Sequence, residues 1–591
     1  MNKNVLKTVL MIASLAIMFS GCKDKDDKKS APGALKLSES AVVLAIGETK
    51  TVTVSGGQSP FTLANSAESV AKATINGTTI SVEGVTEGMA TITVTDSDNV
   101  SETLTVVVTL TGEQILFGPD GTQIGDGSKS FYINKSHTIK KGVYTMVGWI
   151  YVTEGVTLTI EPGTIIKCSD YNFDGEKSAN GTSLIIKMGG KIHAAGTVNE
   201  PIVFTSAEPK GKRQASDWGG IIICGKARNN QGVMMIEGGV DAPHGGDDDD
   251  DNSGVLRYVR IEFGGYPYAL DNEINGLTMG SVGRGTTIEY VQVSYCGDDS
   301  FEWFGGSVNG KYLIAYHGWD DDFDTDNGFS GKIQFALGVR DPKIADQSNS
   351  NGFESDNNSS GSTQTPFTTA TFSNVTIIGP MGQDPNFANT SSYLSGYSWG
   401  ETTTAAFPIR TGIFQAAMQI RRNSRMSCFN SVLTGYPVGI MLSNDGRGDT
   451  QGAANDGLLK VKNVFMAGMG RTGADADKKN PADWSGSISA DYFLRTDLNN
   501  RVFASIDDLK LKQFRSKALP LSAAGFAANN STANWGPMSG SPLLGAADFN
   551  DAFLSDPFFT KVTYAGAFAS DSDADNWTKG WANFDPQNTD Y

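Results

Sequence analysis

Two hydrophobic rhythms divide the chain. At 35–37, 41–44, 51–54, 79–82, 90–94 and 103–108, apolar and polar positions alternate in short runs. Turn formers such as Ser55-Gly56-Gly57 and Asn76-Gly77 separate them. Successive residues of a strand face opposite sides, so this alternation marks half-buried strands. The close turn spacing predicts a small β-sandwich over 33–111. From about residue 115 the unit becomes a strand, a tight turn and a strand, as in 156–166 around Glu161-Pro162-Gly163. Short strands are expected at 182–187, 191–194, 201–205 and 218–224.

Similar phrases then recur. Leu256-Arg257-Tyr258-Val259-Arg260-Ile261 matches Ile288-Glu289-Tyr290-Val291-Gln292-Val293, and Tyr312-Leu313-Ile314-Ala315-Tyr316 echoes both. Tyr290 and Tyr312 are 22 positions apart, a length that suits one coil of a parallel β-solenoid. Within these coils Phe301-Glu302-Trp303, Phe323-Asp324-Thr325 and Phe353-Glu354-Ser355 align without gaps, at offsets of 22 and 30. The extra residues fit a loop at 341–349. Strand alternation then predicts a phenylalanine column facing inward and Glu302, Asp324 and Glu354 facing outward. Asp299, Asp321 and Asn351 form a second column, and Asp326 and Asp356 a third. Residues 577–586 are expected to fold back as a cap over the last coil, and a short helix is expected at 505–515.

Stacked carboxylates call for something to offset them. Coils of a β-helix lie about 4.8 Å apart, where two unit charges repel by about 3 kcal/mol at an effective dielectric near 20. Hard oxygen donors at this density suit calcium. The expected ligands are Asp299, Glu302, Asp321, Asp324, Asp326, Glu354 and Asp356. The alternative is a solvated acidic face neutralised by Lys332 and Arg340. The five aspartates at 247–251 sit in a glycine-flanked loop and are expected to be solvated and mobile. Phe304, Tyr316 and Trp319 lie near the columns and are candidate contacts for a sugar or peptide ligand. Trp303 is expected in the core.

The first residues add a location. Lys3 and Lys7 precede an apolar run over 9–19 that is too short to span a bilayer as a helix and fits a removable signal over 1–21. Ser20-Gly21-Cys22 resembles a lipobox, which implies a lipid on Cys22 and membrane attachment through that anchor. The charged residues 23–29 cannot collapse, so 22–32 reads as a solvated tether. Removing Lys3 and Lys7 takes the formal charge from −18 to −20, which argues against a nucleic-acid partner. Cys168, Cys224, Cys296 and Cys428 lie far apart with no Cys-x-x-Cys pair, and are expected to be buried free thiols.

Residues 84–94, Gly-Val-Thr-Glu-Gly-Met-Ala-Thr-Ile-Thr-Val, resemble bacterial Ig-like domains of the group 2 type, which implies a spacer. Gly297-Asp298-Asp299-Ser300-Phe301-Glu302-Trp303-Phe304-Gly305-Gly306, Trp319-Asp320-Asp321-Asp322-Phe323-Asp324-Thr325-Asp326-Asn327-Gly328 and Trp581-Ala582-Asn583-Phe584-Asp585-Pro586 resemble a family of bacterial surface lipoproteins. That resemblance implies an all-β chain: a small Ig-like sandwich, then a right-handed parallel β-helix of the pectin-lyase-like type over 115–591. The expected role is binding or scaffolding on the outer-membrane surface, toward a glycan, a peptide, an adhesion partner or an outer-membrane importer. The rival class is a polysaccharide lyase or glycoside hydrolase on the same helix, for which Asp298 and Asp299 offer a carboxylate pair. A Gly-His-Gly element is absent, and the four histidines do not cluster. Catalysis is not the expected role.

Overall fold

The structure is a computed structural model. It describes residues 33–591 apart from 87, 110–114, 118–120, 171–180, 270–271, 385, 395–411, 445, 479 and 513–532. The chain divides into two compact units, one over 1–126 with 133–137, the other over 127–132 with 138–591. Residues 1–21, Cys22 and the tether lie outside the described residues.

In the first unit eight strands form two four-stranded sheets. One sheet joins Lys36–Leu37, Thr49–Ser55, Thr79–Gly84 and Ala71–Asn76; the other joins Ala41–Ala45, Ser101–Thr109, Gly88–Thr95 and Thr62–Asn65. Every pairing is antiparallel except the parallel one between Ala41–Ala45 and Ser101–Thr109. The alternation places Val52, Val54, Ile80, Val82, Ile92, Val94, Leu104 and Val106 in one buried cluster. Two strands absent from the sequence reading, Thr62–Asn65 and Ala71–Asn76, are sheet edges with mostly exposed or half-buried side chains, so their apolar signal is weak.

The second unit is a parallel β-helix. One flank stacks Gly254–Glu262, Thr287–Ser294, Asn309–Tyr316, Lys332–Val339 and Thr371–Ile378 in parallel register. Tyr258, Tyr290, Tyr312, Phe335, Asn374, Asn430 and Asn463 break the pleat at equivalent places in successive coils, each with φ between 50° and 61°. This left-handed conformation is uncommon for non-glycine residues. Here it lifts each side chain out of the strand plane into a ladder along the outside. Tyr258, Tyr290 and Tyr312 stack with centroids 4.4 Å apart, and Phe335 continues the stack at 5.1 Å.

The C-terminal segment covers that ladder, which corrects the expected cap. The Asn463 and Asn430 amides bond the carbonyls of Ala546 and Asp548; Asn374 and Gln334 bond those of Tyr564 and Thr560. Gln292 and Arg260 reach the carbonyls of Asn583 and Trp581. Trp581 meets Tyr258 and Tyr290 edge-on at 5.9 and 6.0 Å and is fully buried. The segment is a strap running back along the flank, because an outward ring stack offers more apolar surface than the end of one coil. In place of the short helix stands a single 3-10 turn, Ile506–Leu509, with a Ser505–Asp508 capping box; 513–515 lie outside the described residues.

A second flank stacks Trp149–Val152, Ser183–Ile186, Gly220–Cys224, Leu277–Val282, Phe301–Gly306, Phe323–Asp326 and Phe353–Ser355. The four cysteines of the described residues are free and buried. Burial pushes the Cys224 and Cys428 thiols up to about 12.

Candidate functional site

The second flank carries the acidic columns. Phe301, Phe323 and Phe353 pair in register, are fully buried, and stack at 5.7 and 5.6 Å. Their neighbours Glu302, Asp324 and Glu354 are therefore in register on the opposite face. The turn before each strand adds a ladder in which each side chain caps the next coil. The amide of Asp321 donates to Asp299 Oδ1 at 2.7 Å, and that of Asn351 donates to Asp321 Oδ1 at 2.5 Å. Asp326 pairs in register with Phe304. The 341–349 loop folds over one side and brings in Asp346.

Together these residues line a cavity of about 1170 Å³. Thirteen carboxylates and three arginines, Arg421, Arg422 and Arg447, line it among the described residues. Carboxylate oxygens converge within 4.8 Å in four sets: Asp299, Glu302 and Asp324; Asp321, Asp324 and Glu354; Asp299, Asp320 and Asp321; Asp298, Asp320 and Asp346. All seven residues expected to ligate a cation line this one cavity. Asp326 and Asp356 belong to none of the four sets.

Burial, then repulsion from neighbouring carboxylates, holds Asp299, Glu302, Asp321 and Asp324 well above the usual carboxylate range. Asp326 rises to about 7 for the same reasons. Glu354 is raised by burial to about 8, although Arg421 opposes the shift.

The neutralising cation comes from a later coil than the sequence suggested. Arg421, at the end of Ala416–Arg421, lies 2.7 Å from Glu354, 2.9 Å from Asp356 and 2.8 Å from Asp477, while Arg422 reaches Asp356 at 2.5 Å. Lys332 instead pairs with Asp556, and Arg340 is buried against Asp322. Glu237 also lines the cavity, without a sequence signal. It reaches the cavity from a distant hairpin, where its carboxylate and that of Glu302 share the amide nitrogen of Asn275. No local pattern marks Glu237 or Arg421, since each is brought in by the path of the chain between coils.

Of the expected ligand contacts, Phe304 lines the cavity and is 9% exposed. Tyr316 is a correction: it is fully buried, stacks on His317 at 3.9 Å, and its hydroxyl donates to the Phe584 carbonyl. It faces the strapped flank because the strand Asn309–Tyr316 belongs to that sheet. Trp319 lies outside the cavity lining, and its carbonyl accepts from Arg340 and Ser350. Trp303 is buried, as expected. The aspartate loop is largely solvent-exposed, as expected; Asp249 and Asp250 pair with Arg228 and Arg284, and Asp251 accepts from the Lys226 amide. His317 is buried; that burial, with Arg340 near, pushes its imidazole down to about 3. None of the four converging sets includes a histidine or a cysteine.

The donor set fits a hard cation. Two oxygens on opposite sides of a calcium ion at about 2.4 Å stand about 4.8 Å apart, the span over which these sets converge. Asp324 Oδ1 is also shielded from solvent and has no hydrogen-bond partner.

Among the described residues no helix is long and apolar enough to cross a membrane. No curated protein matches the chain. Among solved structures it is similar to the S-layer protein SbsC, domains 5-6, at 21% identity and a TM-score of 0.13, covering 14% of this chain and 46% of that one. It is also similar to the Dettilon tailspike protein (gp208), at 12% identity and a TM-score of 0.22, covering 64% of each chain. The chain thus spans less than two thirds of the length of either. The family model described as "Pectate-lyase like beta helix domain" matches residues 132–498, more than half of the sequence. With the stacked parallel coils seen over the same residues, the chain belongs to the pectate-lyase-like β-helix family.

Proposed function

We propose that this protein is a lipid-anchored surface protein of the outer membrane that binds ligands through a cation-loaded cavity on its β-helix. In this reading Cys22 carries the lipid, 22–32 is the tether, and the sandwich is an Ig-like spacer that sets the helix away from the bilayer. The observation that carries the reading is the imbalance in the cavity, thirteen carboxylates against three arginines. Calcium at Asp299, Glu302, Asp321, Asp324 and Glu354 would offset the stacked charge and offer open coordination positions to a ligand. Asp326 and Asp356 then lie nearer the arginines, and Phe304 supplies an apolar wall.

Thermal melting with calcium or with chelator tests the cation. Calcium at a hundredfold excess over Kd should stabilise the fold by about 2.7 kcal/mol. Asp324→Asn should abolish that gain while leaving the metal-free protein at least as stable as the parent. Identical melting with calcium and chelator defeats the reading. A glycan array beside a reducing-sugar and unsaturated-product assay separates binding from cleavage. Retention without turnover supports binding, whereas product release lost in Asp299→Asn would favour the enzyme. Protease treatment of intact cells should remove the protein if it faces outward.

A further inference from the structure

We infer that the macromolecular partner of the cavity is a basic peptide segment, a lysine- or arginine-bearing stretch of another protein, held by lining carboxylates outside the calcium set, Glu237 and Asp320 among them. This rests on the cavity being a binding site, and adds what enters it. A cavity of about 1170 Å³ is far larger than an ion needs; pockets of about 300–1,000 Å³ hold organic ligands.

Its wall is also of two kinds. At the end near Glu302, the hairpin of Met234–Met235 with Pro243–His244 contributes Met234, Met235, Ile236 and Glu237. Met235 stands 52% exposed beside these carboxylates. A hydrated metal ion has no use for methionines, but the alkyl stem of a lysine does, with its ammonium among acids and its methylenes on apolar surface.

The second observation is His244. It is fully buried, lines the cavity and is bonded through Nδ1 to Ser281 Oγ at 2.9 Å, while its Nε2 has no hydrogen-bond partner. Burial lowers its imidazole to about 4, so the ring is neutral near pH 7 and offers a polar nitrogen rather than a competing charge. A nitrogen shielded this well and left unsatisfied is unfavourable, and a peptide amide or carbonyl would satisfy it. At the other end by coil order, Arg422 and Arg447 line the cavity and disfavour further basic charge there.

The test uses the full chain with calcium present and a fluorescent peptide of alternating lysine and serine, read by anisotropy at about 100 mM salt, where charge steering persists. Saturable binding is expected, and the matching glutamate–serine peptide should not bind. Glu237→Gln with Asp320→Asn should weaken it about tenfold. Met235→Ser, at an exposed position, should weaken it about threefold with no change in melting temperature. Equal binding by parent and variants overturns the proposal, as does binding of a glucosamine oligomer with none of the peptide. The calcium-dependent melting shift is measured on the same samples. A shift without peptide binding defeats only the peptide proposal; peptide binding without a shift defeats only the calcium reading.

Discussion

The two flanks of the β-helix use one device to opposite ends. On both, in-register coils repeat one kind of side chain over several successive levels. On the strapped flank the repeated groups are rings, Tyr258, Tyr290, Tyr312 and Phe335, whose stacking is attractive and whose outer edges the C-terminal strap then buries. On the cavity flank they are carboxylates, whose stacking is repulsive, and Glu302, Asp324 and Glu354 line an open cavity. A β-helix is indifferent to what it stacks; the chemistry of the repeated residue decides whether a flank seals or stays available to a ligand.

The largest effect that separates the flanks should come from the strap. Trp581→Ala removes a fully buried ring from the tyrosine stack and should cost about 3–5 kcal/mol in urea unfolding. It should leave calcium binding intact, and a loss below 1 kcal/mol would show that the strap only rests on the helix. Next comes Arg421→Ala, which takes away the guanidinium shared by Glu354, Asp356 and Asp477. About 3 kcal/mol should be lost without metal, and part of it regained with calcium.

A smaller effect should appear with pH. Burial and like charge raise Asp326 to about 7, and burial raises Glu237 to about 7 and Glu354 to about 8. Unfolded carboxylates titrate near 4, so between about pH 4 and 8 the folded state holds more protons than the unfolded one. The stability these groups contribute is thus fully present below about pH 4 and is lost progressively as pH rises to about 8, through the folded-state values. Melting temperature without metal should fall over that range, and calcium should flatten the slope. A flat metal-free profile would mean that the columns are compensated in another way. The least effect is expected on the strap surface, where Lys579→Ala breaks an exposed pair with Asp573 and should leave the melting temperature unchanged.

Much of this contrast is legible in the sequence, for a specific reason. The Phe-acid-x phrases recur at the coil length, and strand alternation sends the phenylalanine and the acid to opposite faces. The columns of Glu302, Asp324 and Glu354 therefore follow from spacing alone. The tyrosine phrases at Tyr258, Tyr290 and Tyr312 recur just as clearly. What spacing cannot give is the left-handed bend at each tyrosine, which turns these rings outward and makes the ladder that the strap covers. A cap over the last coil was the expectation because the repeat identifies the coils and not where the remainder of the chain lies on them. That Tyr316 joins the strapped flank is illegible for a related reason: closeness in sequence to Trp319 and the acidic turn does not say which flank a strand joins.

The sequence by itself determined the period, the strand faces, the stacked acids and the buried thiols, because a solenoid translates local repetition directly into spatial columns. Only the tertiary structure decided which distant groups meet those columns. Arg421 arrives more than sixty residues after Glu354 and Glu237 more than sixty before Glu302. Coil-to-coil loops of unequal length carry them there, and nothing periodic in the chain encodes where such loops end.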